Sequence, residues 1–436
     1  MIKRIKKIYN NFVIVNDFFS IEKKENKYLL SLEKTFRINF SSIKKDYEIC
    51  KNNLFFPIKK KIPNFKIEKN VLTLLVKNKK NKSFDSLLTQ DTSEENGIIK
   101  LPDTPKGLQN FSLNCYMNSL LQCFYHIKGL RTSFIDPSKY SKKTQQVCYS
   151  LCEVMNGLTY GNNKNYSPNN FKSTLGKINS LFAGHKGADV SDLYRTVVDS
   201  IINEISYEYP EEEDEDDDGD NTNKNQYYKN AKKEVDENNP IIKEFNYFFE
   251  TIYKCPKGNK CYSMQNDTSI MFELLKIAKW ANTDKIDLKK CFEYNFRTIE
   301  KNEFFCSKCN DTHVNKSKDK ILSLPKVLAL ILNRGKGKQF VNKIKFYEKI
   351  NIQRYVDDEY IDTDNRKYNY KLIGVSTHMG SSSDYGHYLA YCYREAENKY
   401  FCFNDTSVSE VKFKDLNNED PYILFYEQID ELIETM

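Results

Sequence analysis

The sequence predicts an α+β protein, and three observations carry that prediction. Helical periodicity runs through residues 107–205, strand-like segments dominate 241–436, and short β segments between Lys/Asn-rich turns fill 1–82. The composition supports packed cores, with 39% hydrophobic residues and 30 Tyr and 28 Phe against a single Trp. A length of 436 residues suggests one large domain with an accessory module, or two to three domains.

Taken in order, YLLSL (28–32), FRINF (36–40), LFFPI (54–58) and VLTLLV (71–76) make 1–82 a small β-rich accessory domain. Residues 83–106 shift to Ser, Asp, Glu, Thr and Gly with Pro102 and Pro105, as a linker or extended lead-in does. From Gly107 the pattern turns helical. Met117, Leu120, Leu121 and Phe124 share one face of a helix expected over 116–127, and further helices are expected at 145–157 and 189–205. The tract EEEDEDDDGD (211–220) holds nine acids and no base, so 207–240 cannot bury a core and reads as a disordered acidic insertion. KVLALIL (326–332) and YLAYCY (388–393) read as strands.

The net charge of +7 hides a basic start, since residues 1–100 hold 22 Lys and Arg against 11 Asp and Glu. These bases are scattered among Asn, Ile, Phe and Tyr, which argues for a solvated surface and against nucleic-acid binding. No run approaches 18 apolar residues, so no transmembrane segment is expected. Asn10, Asn11 and Asp17 break the basic, apolar start, against a secretory signal; a mitochondrial presequence is the weaker alternative, because Ile2, Ile5 and Ile8 alternate with bases. Twelve Cys are too sparse for a disulfide scaffold. A reducing compartment, cytoplasmic or nuclear, is therefore expected, where grouped Cys mean metal or catalysis.

Cys115 opens the first helix. There the unpaired amides and the positive end of the dipole favour a thiolate, and Asn114 before it is a good N-cap residue. Taken alone, the segment is a weak signal, because most Cys at helix starts are inert core residues. A nucleophilic Cys needs a base, and the chain has five His. His387 stands at the mouth of one strand, and YFCF (400–403) leads into Asn404 and Asp405 at the end of the next. An antiparallel hairpin would bring His387 beside Asn404, a base beside the group that orients it; a buried core histidine and a plain turn are the other reading. Cys306 and Cys309 form a CxxC, and Cys255 and Cys261 lie upstream with five residues between them. Four thiolates from two knuckles make a closed structural zinc site. A redox CxxC would expect a βαβ setting, which is missing.

Together these residues resemble the ubiquitin-specific protease family of cysteine deubiquitinases. GLQNFSLNCYMNSLLQCFYHI (107–127) is similar to the family's Cys box, GLxNxGNTCYMNSxLQ, and 370–411 is similar to its His box. PYILFYE (421–427) resembles the closing strand and 304–334 the finger and palm segments. The resemblance implies a papain-like catalytic domain over 107–430, with a helical thumb, a β palm and zinc-stabilised β fingers. It implies hydrolysis of the isopeptide or peptide bond after the C-terminal glycine of ubiquitin.

Carried over by position, Cys115 is the implied nucleophile, His387 the general base and Asn404 the third catalytic residue, with Asp405 an adjacent helper or substitute. Asn110 matches the oxyanion-hole Asn. Asp189 and Asp192, in GADVSDLYRTVVDS (187–200), match acids that pair with the basic ubiquitin tail, with helix capping as their other role. His378, Tyr385 and Gly386 fall beside the substrate channel. Cys255, Cys261, Cys306 and Cys309 match the finger ligands of one structural Zn2+, and residues 1–82 resemble a pleckstrin-homology-like β barrel by strand count.

The chain departs from the family pattern in places. Ser112-Leu113-Asn114 replaces GNT, so a positive φ at Ser112 would be strained. Ala188 stands near the missing Gln, Tyr400 replaces Trp, and Leu193 replaces Phe. Two alternatives follow: a weakly active ubiquitin-binding scaffold, or a protease for another ubiquitin-like modifier. A third reading, a basic N-terminal domain that anchors the chain to nucleic acid or membrane, is compatible with the enzyme.

Overall fold

The computed structural model describes residues 99–431 except 186, 206–238, 259, 307–308, 336–343, 359–364, 381–385 and 417–419, and before residue 99 only the backbone of the strands. The side chains of 261, 301–304, 315 and 365–366 also lie outside the description. The chain divides into two units, Met1–Thr92 and Ser93–Met436. In the first, Phe19–Lys24, Lys27–Leu32, Val71–Leu75 and Phe65–Glu68 form an antiparallel sheet in that spatial order. Strands expected at 28–32 and 71–76 fall on it, and the short strands Arg37–Ile38 and Asn53–Phe55 overlap the segments expected at 36–40 and 54–58, whose other residues lie outside the described ones.

The second unit begins helical. Helix α1 spans Cys115–His126, α2 Lys128–Ser133, α3 Gln146–Tyr160, α4 Asn169–Ile178, α5 Val190–Glu204 and α6 Pro240–Phe245. Every residue of α1 is buried, which makes it the central helix rather than a surface one. The acidic tract lies outside the described residues. The expected insertion is nevertheless too long at its end, because Asn239 accepts from the amides of Ile241 and Ile242 and caps α6.

Strands then take over. Strand β1 spans Tyr247–Lys254, β2 Lys260–Asp267, β3 Ile270–Glu273, β4 Ile299–Cys306 and β5 Asp311–Ile321. Strands β6 (Val327–Asn333), β7 (Lys349–Asn351), β8 (Asn369–Met379), β9 (His387–Arg394), β10 (Lys399–Asn404), β11 (Ser407–Val411) and β12 (Pro421–Gln428) follow. Helices α7 (Leu274–Ala281) and α8 (Leu288–Asn295), which the sequence reading did not anticipate, interrupt this half.

Four strands, in the order β2-β1-β5-β4, form the finger sheet. Eight form the palm sheet, in the order β3-β6-β12-β8-β9-β10-β11 with β7 on β8. Side chains alternate across a sheet, so β6 feeds two cores. Val327, Ala329 and Ile331 face the core that contains α1, while Leu328, Leu330 and Leu332 face a second core with α7 and α8. That two-sided burial explains the unbroken apolar run KVLALIL. Packing α1 against β8 and β9 brings the start of the helix to one end of the palm sheet.

Candidate active site

Cys115 is the first residue of α1 and is 8% exposed. Two asparagine side chains hold the loop before it, Asn110 and Asn114. Asn114 accepts from the amides of Phe111 (3.1 Å) and Ser112 (3.4 Å) and donates to Asn118 Oδ1 at 3.3 Å. Asn114 therefore does not cap α1, contrary to expectation; its amide stabilises the loop instead. The left-handed backbone also sits elsewhere than expected. It falls at Leu113, φ 53°, not at Ser112, and the Leu113 side chain is 62% exposed. A branched residue there costs about 1–2 kcal/mol relative to Gly.

The hairpin β9–β10 places the imidazole as its register predicts. Nε2 of His387 lies 2.8 Å from Oδ1 of Asn404. An amide oxygen only accepts, so Nε2 carries the proton and Nδ1 keeps its lone pair. Asp405 Oδ2 is farther, at 3.7 Å from the same nitrogen. Asp405 has φ 49° and is clamped from the other side of the molecule. It accepts from Asn110 Nδ2 at 2.9 Å and from Asn118 Nδ2 at 2.7 Å, and its carbonyl accepts from Leu108 N–H at 2.8 Å. Gly107 completes the contact, since a Cβ there would stand 2.4 Å from the Asp405 carbonyl oxygen.

Burial works against the thiolate that a helix N-terminus alone would favour. Burial pushes the Cys115 thiol above its ordinary range, and the Asp405 charge adds to that. Backbone amides of Tyr388, Tyr116 and Cys115 itself point at the sulfur and oppose the rise without cancelling it. The sulfur thus sits against the residue that follows His387. A neutral buried thiol needs a base to take its proton, which is what Nδ1 can do. Asn110 is fixed for a separate task. Its Oδ1 accepts from Asn114 N–H at 3.0 Å and one N–H is held by Asp405, which leaves the second N–H to donate.

Asn118, buried in the first turn of α1, was not singled out from the sequence; its burial is what marks it. His378 is brought to the site but packed away. It is buried against Tyr388, ring centroids 4.6 Å apart, and burial lowers its pKa below the ordinary range, with Asp189 opposing and His387 and Arg334 adding to the fall. Gly386 lies on the His378 ring, where a Cβ would come within 2.2 Å of Cε1. Tyr385 lies outside the described residues. Asp189 caps α5 through Ser191 N–H at 2.6 Å, and Asp192 stands exposed in the first turn of that helix.

At the tip of the finger sheet, Sγ atoms of Cys255, Cys306 and Cys309 lie within 4.8 Å of one another and could hold a metal ion. Burial, then the neighbouring Cys306 and Cys255 thiols, push Cys309 up to about 11. Three soft donors that suppress one another's ionisation fit a divalent cation such as zinc. The side chain of Cys261 lies outside the described residues.

Residues 106–426 match the sequence profile described as ubiquitin carboxyl-terminal hydrolase. The chain is 24% identical over 356 residues to ubiquitin carboxyl-terminal hydrolase 8 of Saccharomyces cerevisiae, covering 74% of this chain and 70% of that one. It is 22% identical over 335 residues to ubiquitin carboxyl-terminal hydrolase 17-like protein B of Mus musculus, covering 75% and 64%. With ubiquitin carboxyl-terminal hydrolase 2 of Bos taurus it shares 23% over 331 residues, covering 74% and 54%. Its fold is similar to the solved SAGA Ubp8/Sgf11/Sus1/Sgf73 DUB module bound to ubiquitin aldehyde. The TM-score is 0.60 at 21% identity, over 79% of this chain and 73% of that chain.

Proposed function

The chain belongs to the ubiquitin carboxyl-terminal hydrolase family, and from that premise we propose that it is a deubiquitinating thiol protease acting through Cys115, His387 and Asn404. Its substrate in this reading is the isopeptide or peptide bond after the C-terminal glycine of ubiquitin. The observation that carries the assignment is the His387–Asn404 bond of 2.8 Å, beside a thiol that touches the backbone of Tyr388.

His387 Nδ1 takes the proton of the Cys115 thiol as the sulfur attacks the carbonyl carbon. Negative charge then develops on the carbonyl oxygen. The N–H groups at the start of α1 and the second N–H of Asn110 are the donors placed to receive it. Collapse of the tetrahedral adduct breaks the C–N bond. The imidazolium returns its proton to the leaving lysine amine, and a thioester to Cys115 remains. Water deprotonated by His387 hydrolyses the thioester and restores the thiol. Asn404 holds the tautomer this cycle needs, and the clamp on Asp405 fixes the turn that carries Asn404.

Two further assignments belong to the same reading. Cys255, Cys306 and Cys309 hold one structural Zn2+, which would pin the finger tip and take no part in the chemistry. Asp189 and Asp192, at the start of α5, offer carboxylates to a basic tail entering beside His378 and Gly386. A nucleophilic thiol and thiolate ligands both need reduced sulfur, so the location that belongs to this reading is a reducing compartment, the cytoplasm or nucleus.

The test is the reaction of the purified chain with ubiquitin carrying a C-terminal thiol-reactive group, beside Cys115→Ala. A covalent adduct on the parent alone is expected. No adduct from folded parent would overturn the ubiquitin assignment and favour a scaffold, or a different modifier, with the left-handed Leu113 as its cause.

A further inference from the structure

A cationic cavity opens beside the second core, and the reaction does not use it. Its volume is about 310 Å³, and Trp280, Glu293, Arg297, Lys318, Lys320 and Arg354 line it, so four cations meet one carboxylate. Its wall is apolar as well. Phe296 and Tyr355 belong to the core that holds α7 and α8, and their ring centroids lie 5.2 Å apart. Cys115 and α1 belong to the other core, so the cavity lies across the palm sheet from the catalytic helix.

Strand register explains why the cations gather. Side chains alternate, so Lys316, Lys318 and Lys320 share one face of β5, each about 6.6 Å from the next. Ile299 is opposite Ser317 and Glu300 opposite Lys316; continuing that register sets Thr298 at Lys318, and both line the cavity. The cations are weakly paired. Arg354 Nη1 is 3.7 Å from Glu293 Oε1, and its side chain is 71% exposed. Lys320 Nζ donates to the carbonyl of Val356 at 3.2 Å, with buried Glu250 opposite it on β1. Among the described residues, Lys318 has no carboxylate partner. Arg297 stacks on Tyr294 with 3.5 Å from guanidinium carbon to ring centroid, and Trp280, 46% exposed, meets the same ring edge-on.

We propose that this cavity is a docking site for an acidic peptide segment of a partner protein, with alternate carboxylates on the β5 lysines and Arg354 and one apolar side chain against Trp280. Charge complementarity selects the acids. The repeat of about 6.6 Å along β5 is also that of alternate side chains in an extended peptide. A nucleic acid strand fits less well. Its phosphodiester backbone only accepts hydrogen bonds and meets Glu293 and Glu300 as like charges, whereas peptide N–H groups donate to them. The inference does not depend on the activity proposed above.

Trp280 is the chain's single tryptophan, so its emission in the full chain reports occupancy without a label. The probe is a short peptide in which Glu alternates with Ala around one central Leu. A peptide with Lys in place of Glu and a short oligothymidylate are titrated in parallel. A saturable change with the Glu peptide alone is expected, weakened at least about fivefold by physiological salt relative to low salt. Tighter binding of the oligothymidylate would overturn the proposal in favour of nucleic acid. An equal response to the Lys peptide, or no saturable change up to about 1 mM of any probe, would overturn it outright. Lys318→Glu and Arg354→Glu should each weaken the Glu peptide at least about tenfold. Labelling of Cys115 by thiol-reactive ubiquitin should stay at the parental rate in both variants; a loss in step with peptide binding would give the cavity to the substrate site instead. Should a variant fail to fold, the three titrations of the parent decide alone.

Discussion

Nε2 of His387 lies 2.8 Å from Oδ1 of Asn404 and nearly an ångström farther, 3.7 Å, from the carboxylate of Asp405. The amide holds the imidazole tautomer, whereas the carboxylate is committed to Asn110 and Asn118. Asn404→Ala should lower kcat by about 100-fold with KM little changed, because orientation of the base is lost while the fold is not. Asp405→Ala should instead lower thermal stability and raise KM as the turn loosens. Steady-state kinetics on a ubiquitin conjugate would separate them, and a larger kcat loss in Asp405→Ala would transfer the orienting role to Asp405.

Burial holds the Cys115 thiol above its ordinary range. A raised thiol pKa means less thiolate at neutral pH, so a small alkylating agent should modify free Cys115 more slowly at pH 7 than it modifies an exposed peptide Cys. The rate should climb as pH rises past the ordinary thiol range. Alkylation followed by peptide mass analysis measures it; a rate that is already maximal at pH 6 would mean a resting ion pair with His387.

Gly107 abuts the Asp405 carbonyl at a distance no Cβ can share. Gly107→Ala should push the 404–405 turn away from α1 and reduce kcat/KM by on the order of 100-fold. Labelling by thiol-reactive ubiquitin would fall in step, while reactivity of Cys115 toward a small alkylating agent would not.

Leu113 is left-handed and exposed, so its side chain contributes little packing to offset the strain. Leu113→Asn should raise stability by about 0.5–1 kcal/mol, because Asn tolerates this backbone. Denaturant unfolding reads the change directly. A loss of stability would show that the exposed leucine contributes more packing than strain.

Burial lowers His126 to about 3, and its Nδ1 is hydrogen-bonded to the carbonyl of Gln122 at 2.8 Å. The unfolded chain protonates this ring near pH 6.5 and the folded chain does not. Stability is therefore unaffected above that pH, and below it falls by about 1.4 kcal/mol per pH unit until the folded value is reached. His126→Gln should flatten part of the acid limb of a stability–pH curve. An unchanged limb would assign acid lability to other groups.

Much of the site was legible because it is built from local patterns. The period of Met117, Leu120, Leu121 and Phe124 places α1 within a residue of its observed start, and the spacing of His387 and Asn404 in a hairpin makes them neighbours. The resemblance then assigned roles that spacing alone left open. Asn118 and Gly107 were not picked out, because each acts through a partner that local periodicity does not name.

The sequence by itself determined the order of a helical half and a strand half, which thiol opens the central helix, and which imidazole lies beside which amide, but not α7 or α8. These depend on side chains three, four or about 17 residues apart, joined by one helix or one hairpin. Tertiary structure decided the rest. It set which amides clamp Asp405 across sequence separations of 287 and 295 residues, and that the strained backbone sits at Leu113 rather than Ser112. It also decided that burial pushes the Cys115 thiol above its ordinary range, against the helix terminus. Burial and long-range hydrogen bonds depend on how the palm sheet closes over α1, and that closure is a property of the whole chain that no local window contains.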